Sequence, residues 1–252
     1  MGNLFGKKPL LIVANWKMQL THVESLAFID QYMPMYEDLL SRTSLSLVLC
    51  PSFTVLPLVA TFNARYVQWG AQTCASQLRG AYTGDISVLS LKELGILYTL
   101  IGHSEQRRYH GETDESVARK AELLLQYGIC PIICVGESEN ERATKGTLGL
   151  LKRQLKSILE LSITYPEAEL IIAYEPLWAI GTGVTPSVEE VAEVYSFIVD
   201  YFTPSQHRIK ILYGGSVSFH TKELFERVPL DGYLLGKQGI DAETLKKIIL
   251  LW

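Results

Sequence analysis

Apolar residues fall along this chain in short runs, and the stretches between several of them carry apolar positions at helical spacing. The runs are Leu10–Ala14, Leu45–Cys50, Tyr66–Ala71, Leu97–Gly102, Ile129–Val135, Leu170–Tyr174, Ile209–Tyr213 and Gly232–Leu235. Most are apolar at successive rather than alternate positions, which predicts strands covered on both faces, the pattern of a parallel sheet. Between them, Glu115–Tyr127, Leu148–Leu161, Val188–Phe202 and Ala242–Leu250 read as amphipathic helices. Eight such units without a linker predict an α/β protein, a closed (β/α)8 barrel in which residues 1–252 form one domain. An open doubly wound sheet is the alternative, weakened because Asn15-Trp16-Lys17, and no GxGxxG turn, follows the first run.

Local signals refine the parsing. Thr185 is a candidate N-cap with Pro186 at the first helical position, and Gly128 can supply the left-handed residue after a helix ending near Tyr127. Pro34 interrupts the pattern of Glu24–Arg42, which predicts a kink or two helical pieces.

Composition narrows the function class. The formal net charge is −4 with no basic block, which argues against a nucleic-acid surface but leaves room for a local anion site. Cys50, Cys74, Cys130 and Cys134 lack paired CxxC spacing, so buried reduced thiols and a cytoplasmic location are expected, with no metal. No apolar stretch approaches the ~18 residues of a membrane span. The N-terminus lacks a signal-peptide pattern and, although it begins Met1-Gly2, has Gly6 where an acylation signal wants Ser or Thr.

Polar residues cluster just past the strand ends, which in a parallel barrel open on one face. Asn15 and Lys17 follow the first run, His103-Ser104-Glu105 the fourth, Glu175 the sixth, Gly214-Gly215-Ser216 the seventh and Gly236-Lys237 the eighth. Each has an ordinary explanation taken alone: a surface lysine, a satisfied loop histidine, a solvated acid before proline, a tight turn. Together they describe a site. Glu175, on a strand end beside the loop Pro176–Thr185, suits abstraction of a carbon-bound proton under a lid that sheds water.

Asn15-Trp16-Lys17, Ile101-Gly102-His103-Ser104-Glu105, Tyr174-Glu175-Pro176 with Trp178-Ala179-Ile180-Gly181-Thr182-Gly183, and Tyr213-Gly214-Gly215-Ser216-Val217 resemble the triosephosphate isomerase family, in order and separation, from about Leu11 to Leu250. The resemblance implies a single TIM barrel that interconverts dihydroxyacetone phosphate and glyceraldehyde 3-phosphate through an enediolate, without cofactor. Glu175 would be the base, His103 a neutral electrophile, Lys17 a fixed cation and Asn15 a hydrogen-bond donor to substrate. Glu105 would hold Lys17, with Ser104 and Cys134 also beside the site. Backbone N–H groups at Gly181, Ser216, Gly236 and Lys237 would cradle the phosphate, and Trp178 would anchor the lid. Gly80–Asp85 resembles the family's interdigitating loop, implying a homodimer in which Thr83 supports the partner's Asn15 and Lys17. Another phosphate-binding barrel enzyme and a catalytically weakened barrel kept for binding are the competing readings.

Two departures from the family pattern stand out. Gln106 occupies the place of an arginine that would pair with the acid at Glu112, so Arg108 or solvent is expected to serve Glu112 instead. After Gly236 the family usually continues Gly-Ala-Ser, but here Lys237-Gln238-Gly239 follows. Lys237 fits without strain provided its φ is negative.

Overall fold

The computed structural model describes residues 10–59, 61–62, 64–180, 184–205, 209–215 and 227–251. Eight parallel strands close on themselves: β1 (Leu11–Asn15), β2 (Ser46–Cys50), β3 (Val67–Ala71), β4 (Tyr98–Ile101), β5 (Cys130–Val135), β6 (Leu170–Tyr174), β7 (Ile209–Gly214) and β8 (Gly232–Leu235). Closure is explicit in β1, where Val13 lies opposite Val48 on one side and Leu234 on the other. That double pairing rules out the open sheet.

Strand residues divide by parity. Leu11, Val13, Val48, Cys50, Leu100, Ile132, Cys134, Ile171, Ala173, Leu212 and Leu234 form one buried cluster, which contains no helix residue and fills the barrel. Their alternates, including Ile12, Leu47, Ile133, Ile172 and Tyr233, pack outward against the helices. This two-sided burial explains why the strands read as continuous apolar runs. Among the described residues, no helix is long and apolar enough to cross a membrane.

Among the described residues the helices are α1 (His22–Leu40), α2 (Leu56–Val59), α3 (Val88–Glu93), α4 (Ser104–His110), α5 (Asp114–Gln126), α6 (Glu139–Ala143), α7 (Thr147–Thr164), α8 (Val188–Phe202) and, after a 3-10 turn at Lys237–Gly239, α9 (Ala242–Leu250). Gly128, at φ 69°, follows α5 in the left-handed conformation expected of it.

Two expectations need correction. Of the two outcomes expected at Pro34, a kink or two helical pieces, the second is overturned: α1 runs unbroken through it. The proline is exposed, so the carbonyl it leaves without a donor lies on the outer side, while Phe28, Ile29, Met33, Tyr36 and Leu40 bury both halves against the barrel. The cap of α8 is Ser187, not Thr185. Ser187 N–H donates to Glu190 Oε2 (2.7 Å) while Ser187 Oγ accepts from Glu190 N–H (3.2 Å). This reciprocal box satisfies two donors at once, whereas Thr185 has Val188 three residues on and cannot form one.

Candidate active site

The strand ends surround a cavity of about 540 Å³ lined by Asn15, Lys17, His103, Glu175, Gly236 and Lys237, among others. Of the residues expected there, Gly181 and Ser216 lie outside the described residues, as do Met1, Gly2 and Gly6 of the N-terminus. The inward parity of β1 and β6 continues one step past Val13 and Ala173, to Asn15 and Glu175. Both are 5% exposed, buried yet at the mouth of the barrel.

Glu175 and His103 face each other. Glu175 Oε1 lies 3.2 Å from His103 Nε2, and Glu175 Oε2 accepts a long hydrogen bond from Ser104 N–H (3.4 Å). Burial pushes the Glu175 carboxyl upward, but His103, the Ser104 N–H and the Lys17 ammonium outweigh it and hold its pKa below the ordinary value. Gly214 permits this placement, since a β-carbon there would sit 2.8 Å from Glu175 Cγ.

His103 is the N-cap of α4, and its Nδ1 accepts the Glu105 N–H at 3.2 Å. Burial disfavours a charged ring, whereas the charge of Glu175 and its hydrogen bond favour one and carry the pKa of His103 upward. The Glu105 N–H opposes this, because a second proton on Nδ1 would meet a donor head-on. With Nδ1 accepting, the single proton belongs on Nε2, and we assign the neutral Nε2–H tautomer.

Lys17 Nζ pairs with Glu105 at 2.8 Å, as the resemblance implied. Lys17 itself has φ 52°, a left-handed conformation that costs a lysine roughly 1–3 kcal/mol. Its N–H donates to Asn15 Oδ1 (3.0 Å), and Gln72 Nε2 donates to its carbonyl (2.8 Å) and to that of Cys50 (3.0 Å). These contacts hold the strained turn in place. Cys134 lies inside the barrel, its thiol raised well above the ordinary pKa first by burial and then by the negative charge of Glu175.

Beneath His103, the Glu112 carboxylate accepts Gly102 N–H at 2.7 Å. Its other oxygen does not take Arg108, contrary to expectation. Lys120 on α5 reaches it at 2.5 Å and also donates to Thr73 Oγ1 at 3.1 Å. Arg107 turns elsewhere, to the Gly102 carbonyl (2.8 Å) and Asp114 (2.6 Å).

The base of the Glu175 loop rests on Glu137, a fully buried acid. Glu137 Oε1 accepts from Tyr174 Oη (3.0 Å), Trp178 Nε1 (2.9 Å) and Arg142 (3.3 Å). The Arg142 guanidinium lies 4.9 Å from the Trp178 ring centre and also binds Glu190 (2.5 Å). Sequence reasoning missed Gln72 and Glu137. Each directly follows a strand end or its glycine, the same signal that marked Asn15 and Glu175. Lys120, mid-helix, carried no such signal.

A family model described as triosephosphate isomerase matches residues 10–251. The chain belongs to the triosephosphate isomerase family. Proteins named triosephosphate isomerase from Endomicrobium trichonymphae and Aquifex aeolicus (strain VF5) are 36% and 38% identical to it over 250 and 245 residues. The first alignment covers 96% of this chain and 98% of the relative, the second 95% and 98%. The protein of that name from Synechocystis sp. (strain ATCC 27184 / PCC 6803 / Kazusa) is 37% identical over 244 residues, covering 96% and 98%. Among the described residues, no group of three or more His, Cys, Asp and Glu could hold a metal ion.

Proposed function

We propose that this protein interconverts dihydroxyacetone phosphate and D-glyceraldehyde 3-phosphate. The observation that carries the reading is the buried Glu175–His103 pair, 3.2 Å apart at a cavity also lined by Lys17 and Asn15. Substrate entering this cavity replaces the contact between the two side chains. Glu175, ionised at neutral pH, takes a proton from the hydroxymethyl carbon, and the electron pair moves into the carbonyl to give an enediolate. His103 Nε2–H and the Lys17 ammonium stabilise the developing oxyanion, with Asn15 donating to the substrate oxygen. A proton passes from one oxygen to the other at His103, and Glu175 returns its proton to the neighbouring carbon. The substrate's own carbonyl is the electron sink, so the chemistry calls for no cofactor.

The phosphate sits at the Gly236 and Lys237 backbone N–H groups, with Gly181 and Ser216 completing the cradle. The loop from Pro176 closes over it, anchored by Trp178 on Glu137, and excludes water from the enediolate. One barrel domain carries the whole activity. It acts as a homodimer in the cytoplasm: Gly80–Asp85 is exposed at all of its positions, Met18 beside the site is 95% exposed, and the four cysteines are unpaired. Thr83 of that loop supports the partner's Asn15 and Lys17.

A coupled assay from glyceraldehyde 3-phosphate tests the reaction, with Glu175→Gln as control. Turnover lost in the variant is the expected result, and a folded wild type without turnover overturns the proposal. Sedimentation equilibrium at the mass of one chain would overturn the dimer.

A further inference from the structure

Among the described residues, the cavity's lining holds two lysines and two carboxylates. Glu175 and Asp241 both line it, and Lys17 is already paired with Glu105 at 2.8 Å. Among the described residues of the lining, Lys237 is the other lysine. It opens the 3-10 turn after β8, and its φ is not positive, so the lysine sits there without backbone strain. The turn is seated tightly on the barrel, since a β-carbon on Gly239 would lie 2.6 Å from Ala14 Cβ. That seating leaves the Lys237 side chain to project from the rim, where it is exposed.

The two lysines flank one residue. A β-carbon on Gly236 would lie 3.8 Å from Lys17 Nζ, and Lys237 is its neighbour in the chain. Across the rim, the Asp241 carboxylate is occupied by Thr244 N–H at 2.7 Å, where it caps α9. Asp241 is held below the ordinary carboxylate range mainly by the Thr244 hydrogen bonds, with Lys247 and Lys237 adding smaller contributions. Lys237 thus lines the same cavity as an acid that already has a backbone partner, at the place where the proposed function seats an anion.

We propose that the Lys237 side chain, and not only its backbone N–H, binds the substrate's phosphate, selecting dianionic phosphomonoesters over uncharged sugars and giving the site its dependence on ionic strength. Its ammonium offsets Asp241 and adds a second positive pole to the one at Lys17. Substrates without phosphate gain nothing from it. The inference rests on the isomerase reading for the identity of the substrate, but its binding test does not.

The test compares wild type, Lys237→Met and Lys237→Arg. Inorganic phosphate binding is measured by calorimetry, and kcat and KM are measured for glyceraldehyde 3-phosphate and for unphosphorylated glyceraldehyde, each across ionic strengths. Lys237→Met should weaken phosphate binding and raise KM about 5- to 10-fold at low salt, with kcat little changed, and the difference should shrink to about 2-fold near 0.5 M salt. Lys237→Arg should stay within about 2-fold of wild type, and glyceraldehyde kinetics should not move. Phosphate affinity and salt dependence unchanged in Lys237→Met would overturn the proposal, as would an equal loss on glyceraldehyde. Calorimetry needs no turnover: a wild type that binds phosphate through Lys237 but isomerises nothing would overturn the isomerase reading and support this one.

Discussion

Replacing Lys120 by methionine isolates the support beneath His103. The Lys120 and Glu112 side chains are 12% and 3% exposed, and their charged atoms meet at 2.5 Å. Methionine keeps the apolar stem and its packing, so no large cavity opens, but Glu112 is left with a single donor, Gly102 N–H. Removing one partner of a buried pair strands the other charge and costs about 3–5 kcal/mol. For a domain of this size that corresponds to a Tm lower by about 6–20 °C. Because the stability of the proposed dimer would depend on concentration, urea or thermal unfolding must be compared at one protein concentration. The double variant Glu112→Gln with Lys120→Met removes the stranded charge while the amide oxygen can still accept from Gly102, and should recover most of the loss. A second effect follows from position: Glu112 holds the N–H directly before His103, so Lys120→Met should also lower kcat, by about 3- to 10-fold if His103 shifts by a few tenths of an ångström. A single variant destabilised by less than about 1 kcal/mol, or a double variant no more stable than the single, would refute the reasoning.

Glu175→Gln should lower kcat by about 10²–10⁴-fold, and an unchanged rate in the coupled assay would remove Glu175 as the base. A ¹³C-carboxyl titration of the unliganded protein should place Glu175 below the ordinary glutamate value of about 4.3. Since its folded pKa is depressed, Glu175 contributes stability that is full above the unfolded value and is lost as pH falls through the folded one; a titration above 4.5 contradicts this. Nitrogen-15 spectra at neutral pH should show His103 with Nδ1 bare and Nε2 protonated, and a doubly protonated ring would overturn the tautomer assigned from the Glu105 N–H. Gly214→Ala puts a methyl 2.8 Å from Glu175 Cγ, so kcat should drop while the fold survives; full activity would show that the base has room to spare.

The barrel was legible because closure converts sequence position into place. Once eight apolar runs alternate with helices, whatever follows a strand stands on one face, and Asn15, His103, Glu175 and Gly236 meet there from four distant strands. Parity supplies the finer detail, pointing Asn15 and Glu175 inward because Val13 and Ala173 point inward. What failed were inferences from one residue's preference. Pro34 disfavours a helix interior, but its exposed side lets water replace the lost donor, and packing of the opposite face decides the outcome. Thr185 can cap a helix in isolation, but Ser187 has Glu190 three residues on and wins by one more hydrogen bond.

Gln106 and Lys237 show the same boundary from the side of charge. Absence of an arginine at position 106 is visible in the chain, and so is the unsatisfied acid it implies at Glu112. Which cation replaces it is not, because Arg107 and Arg108 are nearer in sequence while Lys120 is nearer in space. Arg107 is drawn to the Gly102 carbonyl and to Asp114, which take its Nε and one of its terminal nitrogens. Lys120 reaches down from α5 because that helix packs across β4 and β5, an orientation set by Val117, Ala121 and Leu124 rather than by any polar residue. The apolar face of one helix therefore determines the electrostatics under a histidine contributed by another element. At Lys237 the order is reversed: the new charge is plain in the sequence, and only the seating of Gly239 on Ala14 shows that the turn keeps its place, with Lys237 in the cavity's lining.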